Sequence, residues 1–402
     1  MPFDFDEIID RRNTNAMAKE GFRDYLFGGQ DPVVLPCADE DALSMWVADM
    51  AFASAPAARQ AMTEWVESNP VLGYSSVFNE DFYDTVLDWC DRRYGWRPVR
   101  EHLVASTSLV PALYAFAEHY LAPGEAAITL TPSYGFFARA PLEQGRQSVT
   151  SGLVPTHDGR FEIDFEDFAA KVANPNVKMF YLCYPHNPTG RIFTPDELRR
   201  LATLCDAHDV LIISDEIHCD LLRTGLTHIP LSKLMPDNDR IITAMSASKT
   251  FNLAGLGFAH LVIPNPELRK IWEENAFPLH NPVSVAATLG ALRDGDTWRF
   301  ELLAYVDANF NYLDDRLKQD LPKARFTIPD ATYLAWIDLR EYFPLDINLT
   351  RYFAEAEGLL LEGGDMFVAD GDGFVRLNLA CPLAMLSEGL DRLVAATNRF
   401  SG

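Results

Sequence analysis

Four short apolar runs constrain the fold of this chain more than any other feature of its sequence. They cover residues 126–130, 178–183, 210–214 and 240–245, and each is mostly apolar without alternation. Such runs are typical of strands buried on both faces of a sheet. A helical pattern at residues 194–208 lies between the second and third runs, and it opens with Thr-Pro-Asp-Glu, which favours a capped helix start. The sequence therefore predicts an α/β fold with a mostly parallel sheet.

Polar residues directly follow three of these runs. Tyr-Pro-His-Asn-Pro occupies residues 184–188, Asp-Glu-Ile-His occupies residues 215–218, and Ser-Ala-Ser-Lys occupies residues 246–249. Ligands of open parallel sheets bind at the carboxyl ends of the strands. We therefore expect these three segments to converge on one crevice.

The chain changes character from about residue 285. Long helical patterns at residues 283–293 and 298–321 come first, and short strand patterns at residues 333–338 and 373–379 follow. This order predicts a second, smaller α+β domain at the C-terminus. The predicted organisation is an N-terminal segment packing with the small domain (residues 1–45), a large domain that carries the crevice (residues 46–284) and the small domain (residues 285–402).

Charge and hydropathy narrow the classes of function. The 34 Lys and Arg residues and 58 Asp and Glu residues give a net charge of −24 over 402 residues, which argues against nucleic acid or an anionic membrane as a partner. No apolar run approaches the roughly 18–20 residues that a spanning helix needs, and no signal-peptide pattern opens the sequence. We therefore expect a cytoplasmic protein. The six cysteines are scattered, so neither a disulfide framework nor a metal site is expected.

The residues after the strands match the needs of one cofactor, pyridoxal 5'-phosphate. Its aldehyde needs a lysine, its ring nitrogen a carboxylate, and its phosphate hydroxyls and amides at a helix start. Lys249 lies beside serines, and Asp215 ends an apolar run where an unpaired carboxylate is costly. A helical pattern opening at Ser108 and an aromatic residue after a strand, Tyr134, offer a phosphate site and a ring partner. Alone, Lys249 would more often be a surface residue and Asp215 a helix cap; the combination favours the cofactor.

Arg376 interrupts the apolar strand pattern of residues 374–379. A charge at such a position needs a partner. The planar guanidinium suits a carboxylate bound through two hydrogen bonds, which favours the α-carboxylate of an amino-acid substrate. A structural ion pair is the alternative.

Six segments occur in the order found in one known family. They are Trp-Val-Ala-Asp-Met at 46–50, Gly-Tyr at 73–74, Pro-His-Asn-Pro-Thr-Gly-Arg at 185–191, Ser-Asp-Glu-Ile-His at 214–218, Ser-Ala-Ser-Lys-Thr-Phe-Asn-Leu-Ala-Gly-Leu at 246–256 and Arg-Leu-Asn-Leu at 376–379. In these segments the chain resembles the fold-type I pyridoxal-phosphate enzymes of the class I/II aminotransferase superfamily. Within them it is similar to the cystathionine β-lyase group of C–S lyases, which includes cystalysin-like enzymes. The resemblance implies a seven-stranded sheet, a smaller C-terminal domain and a homodimer.

The resemblance also implies a role for each matched residue. Lys249 would form the Schiff base with the cofactor, and Asp215 would pair with its ring nitrogen. The other implied cofactor contacts are Asn187 and His218 near the ring hydroxyl, Tyr134 on the ring, and Ser108, Leu109, Val110, Ser246 and Ser248 around the phosphate. Arg376 would bind the substrate carboxylate with help from the backbone of Val47 and Ala48. Tyr74 would reach the phosphate of the neighbouring subunit's cofactor, so the active site is shared across the dimer interface.

The implied reaction is α,β-elimination. Cystathionine or a related S-substituted L-cysteine would give pyruvate, ammonia and a thiol. Lys249 would remove the α-proton, and Lys249 or, as a second choice, Tyr74 would protonate the thiol.

Two other functions remain open from the sequence. A class I/II aminotransferase shares the steps up to the carbanion, but such enzymes usually carry an arginine at the position of Gly257, and many carry a tyrosine at that of His218. A binding or regulatory protein that keeps the fold is the second alternative, and the presence of Lys249 and Asp215 weighs against it. Gly135 replaces an aromatic residue that is common in cystalysin-like enzymes, which leaves the preferred leaving group open.

Overall fold

The computed structural model describes residues 3–28, 32–74, 79–276 and 279–401 of the chain. Its helices are α1 (Met17–Glu20), α2 (Phe22–Phe27), α3 (Pro56–Ser68), α4 (Glu80–Tyr94), α5 (Leu109–Tyr120), α6 (Phe136–Glu143), α7 (Phe165–Val172), α8 (Pro195–Ala207), α9 (Leu231–Leu234), α10 (Pro266–Asn275), α11 (Pro282–Asp294), α12 (Asp296–Asp320), α13 (Leu349–Glu357) and α14 (Leu383–Ser401). Its strands are β1 (Leu43–Ser44), β2 (Leu103–Ser106), β3 (Ala126–Thr131), β4 (Gln147–Pro155), β5 (Phe161–Ile163), β6 (Val177–Cys183), β7 (Leu211–Asp215), β8 (Ile241–Met245), β9 (Ala259–Val262), β10 (Leu334–Asp338), β11 (Leu359–Leu360), β12 (Glu362–Gly363) and β13 (Phe374–Asn378).

A mixed sheet forms the centre of the large domain. In the described residues it has eight strands in the order β2-β9-β8-β7-β6-β3-β4-β5. The central pairings β4–β3, β3–β6, β6–β7 and β7–β8 are parallel. The four apolar runs correspond to β3, β6, β7 and β8, so the predicted α/β fold with a mostly parallel sheet is confirmed. The implied count of seven strands is wrong, because the three-residue β5 adds an antiparallel edge pairing to β4.

The sheet is covered on both faces, which explains why apolar and polar residues do not alternate along its strands. In β7, Ile212 packs into one apolar cluster with Phe168 and Phe180, whereas Ile213 packs into another with Phe116. Successive residues of a strand point to opposite faces. A strand with a core on each face must therefore be apolar at consecutive positions.

The strand register brings the functional segments together. Cys183 at the end of β6 pairs with Asp215 at the end of β7, and Asp215 pairs with Ala244 near the end of β8. The crossover helix α8 between β6 and β7 begins with the predicted cap: Thr194 accepts from the amide of Glu197, whose carboxylate accepts from that of Thr194. The polar residues after the three strands consequently share one edge of the sheet.

The small domain contains a three-stranded antiparallel sheet in the order β10-β13-β12. In its register, Arg376 of β13 lies opposite Trp336 on one side and Glu362 on the other. Directly opposed residues of neighbouring strands place their side chains on the same face. Strand β1 from the N-terminal segment pairs with β11 of this domain, although the boundaries at residues 45 and 284 stay a prediction.

Among the helices of the described ranges, none combines the length and the apolar character that crossing a membrane requires.

Candidate active site

A cavity of about 240 Å³ lies at the carboxyl ends of β6, β7 and β8. All of the predicted site residues line it except Ser246 and Tyr74. Those that do are Val47, Ala48, Ser108, Leu109, Val110, Tyr134, Asn187, Asp215, His218, Ser248, Lys249 and Arg376. The sequence therefore identified the crevice and most of its polar lining, and the small domain contributes Arg376 from β13.

Lys249 follows β8 by four residues and extends its amine into the cavity. The Nζ atom donates a hydrogen bond to the carbonyl of Ala48 at 2.6 Å. Burial, and then the charge of Arg376, lower the pKa of Lys249 to about 8. An amine with such a pKa is partly neutral near neutral pH, as condensation with an aldehyde and base catalysis both require.

Asp215 is the last residue of β7 and is only 7% exposed. Its Oδ1 atom accepts from the amide of Ile217 at 3.1 Å, and no arginine, lysine or histidine pairs with it among the described residues. Burial raises the pKa of Asp215 to about 7. A cationic ring nitrogen would supply the counterion that this buried carboxylate needs.

The far end of the cavity has the parts of a phosphate site. Helix α5 begins at Leu109, immediately after Ser108, and its first residues line the cavity, where a helix N-terminus favours an anion. Ser248 lies beside it and its hydroxyl contacts that of Ser246 at 3.0 Å. Ser246 also donates to the carbonyl of Phe258 at 2.7 Å, so its hydroxyl is already held behind the cavity wall.

Two further predicted site residues, Tyr134 and His218, also line the cavity. Tyr134 lies on the cavity wall, where burial raises the pKa of its phenol. His218 is buried, its Nδ1 atom has no hydrogen-bond partner among the described residues, and burial lowers its pKa to about 3. A neutral imidazole with an unused nitrogen can pair with a ligand hydroxyl. The lysine, the unpaired carboxylate, the helix start and this orphaned nitrogen therefore fit pyridoxal phosphate.

Arg376 is 2% exposed, and its guanidinium makes two hydrogen bonds and one ion pair. Its Nη1 atom donates to Oδ1 of Asn187 and its Nη2 atom to the carbonyl of Trp46, each at 3.0 Å. Nη2 also pairs with the carboxylate of Glu362. The structural ion pair that the sequence left as the alternative is thus present, and it lies inside the cavity rather than away from it.

Sequence reasoning missed the residues that fix the loop at Val47 and Ala48. Asn378 donates to the carbonyls of Val47, at 2.8 Å, and of Asp49, and Tyr333 donates to the carbonyl of Ala48 at 2.9 Å. The sequence did contain an indication of Asn378. It lies two positions after Arg376, so the two side chains project from the same face of the strand. Tyr333 carried no such signal.

Two lining residues, Glu362 and Tyr25, were also missed. Tyr25 comes from α2 in the N-terminal segment, and its ring lies 4.8 Å from that of Trp46. Burial raises the pKa of Tyr25 to about 12. These residues reach the cavity only through the packing of distant parts of the chain, which no local pattern reveals.

Tyr333 gives a first prediction, because its hydroxyl and Lys249 share one acceptor, the carbonyl of Ala48. Replacing Tyr333 with phenylalanine removes one of the two hydrogen bonds that hold the Ala48 carbonyl, so this carbonyl positions the amine of Lys249 less firmly. A hydrogen bond of this kind is worth about 1 kcal/mol, so we expect unfolding to require about 1 kcal/mol less and kcat/KM to fall by roughly 5-fold. Denaturant titration and steady-state kinetics measure the two effects.

Tyr120 offers the matched control. Its hydroxyl also donates to a backbone carbonyl, that of Leu268 at 2.7 Å, but away from the cavity. Tyr120→Phe should cost similar stability without the loss of kcat/KM. Equal kinetics in the two variants would show that the Tyr333 hydroxyl does not position the lysine.

Fold and cavity together define a fold-type I pyridoxal-phosphate enzyme. A family model described as aminotransferase class I and II matches residues 41–393, and the chain belongs to that family. It is 36% identical over 361 residues to the cystathionine beta-lyase PatB of Bacillus subtilis, covering 89% of this chain and 92% of that protein.

Solved structures agree with this family. A pyridoxal-phosphate-bound C–S lyase from Staphylococcus hominis, in complex with the inhibitor L-cycloserine, is 42% identical, with a TM-score of 0.95 and 98% of each chain covered. Cystalysin from Treponema denticola, which contains the same cofactor, is 27% identical, with a TM-score of 0.90 over 99% of this chain and 100% of that one. The predicted family, fold class, cofactor and C–S lyase class are confirmed.

Proposed function

We propose that the protein eliminates the sulfur substituent from cystathionine or related S-substituted L-cysteines and releases pyruvate, ammonia and a thiol. The observation that carries the proposal is that Lys249, Arg376 and Asp215 line one cavity. An arginine that binds an α-carboxylate would place the Cα atom of an amino acid within reach of the lysine. The similarity to C–S lyases over almost the whole chain supports elimination as the outcome.

The chain's own residues divide the work of this reaction. When bound, the cofactor supplies an electron sink for the charge that develops at Cα. Arg376 orients the substrate through its carboxylate, and the Ala48 carbonyl holds the amine of Lys249. Since its pKa is lowered to about 8, about a tenth of Lys249 is neutral at pH 7 and can take the α-proton. The same amine then protonates the departing sulfur, and Tyr74 is the second candidate for this step.

The position of Gly257 supports elimination over amino transfer. Gly257 has a φ of +56°, and a Cβ atom there would lie 2.9 Å from the carbonyl of Thr107. A side chain is strained at such a position, so the phosphate-binding arginine that aminotransferases of this fold usually carry cannot occupy it with this backbone.

The space around Gly135 bears on the leaving group. A Cβ atom at Gly135 would have the carbonyl of Met366 as its nearest neighbour, at 3.8 Å. The absent aromatic side chain therefore leaves room beside Tyr134, which favours substrates with a bulkier group on sulfur.

We further propose a homodimer in which Tyr74 serves the neighbouring subunit. Tyr74 is 94% exposed and follows two other exposed apolar residues, Val71 and Leu72. Exposed apolar segments of this kind are typical of protein interfaces. Tyr74 does not line the cavity of its own subunit, so a role in catalysis requires a second copy of the chain. A cytoplasmic location stays a prediction from composition.

The test of the proposed function is product analysis. Purified holoenzyme is incubated with cystathionine, cystine and S-alkyl cysteines, each with and without a keto-acid acceptor. We expect pyruvate and ammonia in equal amounts without the acceptor. Amino-group transfer that depends on the acceptor would make the protein an aminotransferase, and no spectral change with any amino acid would leave it a binding protein.

A further inference from the structure

The hydrogen bonds and the ion pair of Arg376 leave no unoccupied pair of nitrogens for a carboxylate. A guanidinium binds a carboxylate bidentately either through Nε and Nη2 or through Nη1 and Nη2. Both arrangements use Nη2. Nη2 already donates to the carbonyl of Trp46 and is in ion-pair contact with the carboxylate of Glu362, whereas Nε has no hydrogen-bond partner among the described residues. A substrate carboxylate must therefore displace one of these two acceptors.

Of the two acceptors, Glu362 is the one that can move. The carbonyl of Trp46 is part of the backbone, and the adjoining residues are fixed through the carbonyls of Val47 and Ala48. Glu362 reaches Nη2 with a flexible side chain from β12, opposite Arg376 in the sheet. Rotation about its side-chain bonds frees Nη2 without disturbing the loop.

When Glu362 moves away from Arg376, its carboxylate loses its counterion while it stays buried. The residue is 5% exposed, and burial raises its pKa. The ionisable groups that face it are Arg376 from β13, Lys249 after β8, Asp365 after β12, Tyr25 from α2 and Tyr134 after β3. A buried carboxylate whose cation is taken by another carboxylate is more stable when protonated.

We propose that Glu362 is a positioning residue that yields Arg376 to the substrate carboxylate and takes up one proton from solvent as it does so. The inference rests on the proposed function only in assuming a substrate with a carboxylate. The proton goes to Glu362 because a glutamate, with an ordinary pKa of about 4.3, is more basic than an α-carboxylate at about 3.5. Substrate affinity therefore falls as rising pH makes this proton harder to obtain.

Calorimetry of a ligand that cannot react tests the inference. 2-Hydroxy-3-(methylthio)propanoate has the carboxylate and thioether of a substrate and a hydroxyl in place of the amine, so it cannot form a Schiff base, and the electron-withdrawing hydroxyl keeps its carboxylate less basic than that of a glutamate. Its binding to the holoenzyme is measured at one pH in phosphate and in Tris, whose different ionisation enthalpies reveal the protons taken up. The same titration is made with Glu362→Gln, and the cofactor absorbance follows any proton change at the cofactor.

We expect the wild type to take up about one proton more than Glu362→Gln, and its affinity to fall by about 10-fold per pH unit where that of the variant is flat. Asp338→Asn is the matched control, because Asp338 is also a buried strand carboxylate paired with an arginine, Arg340, but it does not line the cavity; this variant should take up the same number of protons as the wild type. In turnover, Glu362→Gln should lower KM more than it changes kcat.

Equal proton uptake in the wild type and Glu362→Gln would overturn the inference, and so would an identical pH dependence of affinity. The wild-type titration is decisive even if the variant is unstable. The proposal is contradicted if the wild type takes up no more protons than the change in cofactor absorbance accounts for. Failure of the proposed function looks different: the extra proton is then taken up, but cystathionine and S-alkyl cysteines give no pyruvate.

Discussion

Replacing Lys249 with alanine is expected to abolish the absorbance of the lysine-bound cofactor and to reduce pyruvate release from cystathionine on the order of 10⁴-fold, the upper range for removal of a positioned base. The amine lies in the cavity on the carbonyl of Ala48, and its pKa of about 8 allows both condensation and proton removal. Alanine can do neither. Absorbance spectra and initial rates of pyruvate formation measure the two losses.

A lysine outside the cavity separates this effect from a general loss of stability. Lys233 also donates to a backbone carbonyl, that of Tyr94 at 2.7 Å, but it does not line the cavity. Lys233→Ala should keep the absorbance and the rate. Normal elimination by Lys249→Ala would mean that another group removes the α-proton.

The same variant tests whether the active site is shared between subunits. In a hybrid dimer of Lys249→Ala and Tyr74→Phe chains, one site carries both substitutions and the other carries neither, provided that Tyr74 acts across the interface. Random mixing of two impaired variants should then restore about a quarter of the wild-type rate, since half of the dimers are hybrids with one intact site. No recovery would place Tyr74 in its own subunit's site, whereas full activity of Tyr74→Phe by itself would place it outside catalysis.

The part of the site built by the parallel sheet could be predicted from sequence because two local rules coincide there. A strand buried on both faces is a continuous apolar run, and the residues after such strands meet at one edge. Asp215 and Lys249 followed directly from these rules. Arg376 was found for a similar reason, since a charge within an apolar strand needs an explanation.

The remainder depends on contacts that local patterns do not encode. Glu362 lies on a strand of two residues, and only the register of β12 against β13 brings it to Arg376. Tyr25 reaches the cavity from a six-residue helix near the N-terminus. The edge strand β5 is only three residues long, too short for a clear strand pattern. Each of these features is set by tertiary packing between distant segments.

Asp215→Asn is expected to lower kcat for elimination by about 100- to 1,000-fold while the lysine still binds the cofactor. The asparagine has the same shape but no charge, so it cannot hold a proton on the ring nitrogen. Removal of one preorganised electrostatic group from an active site typically costs this much. The wild-type carboxylate suits the task because burial raises its pKa to about 7, so that it is strongly stabilised by an adjacent cation. Rates with cystathionine and the cofactor's absorbance measure the change.

The neighbouring Glu216 shows what a structural carboxylate should do instead. It accepts from His228 at 2.6 Å, from Ser214 at 2.8 Å and from the amide of Leu231 at 3.1 Å, and it does not line the cavity. Glu216→Gln removes or weakens these bonds, so unfolding should require about 1–3 kcal/mol less while kcat stays close to that of the wild type. If Asp215→Asn behaved like Glu216→Gln, with lower stability and an unchanged rate, the carboxylate of Asp215 would serve the fold, and the electrons of the carbanion would need another source of stabilisation.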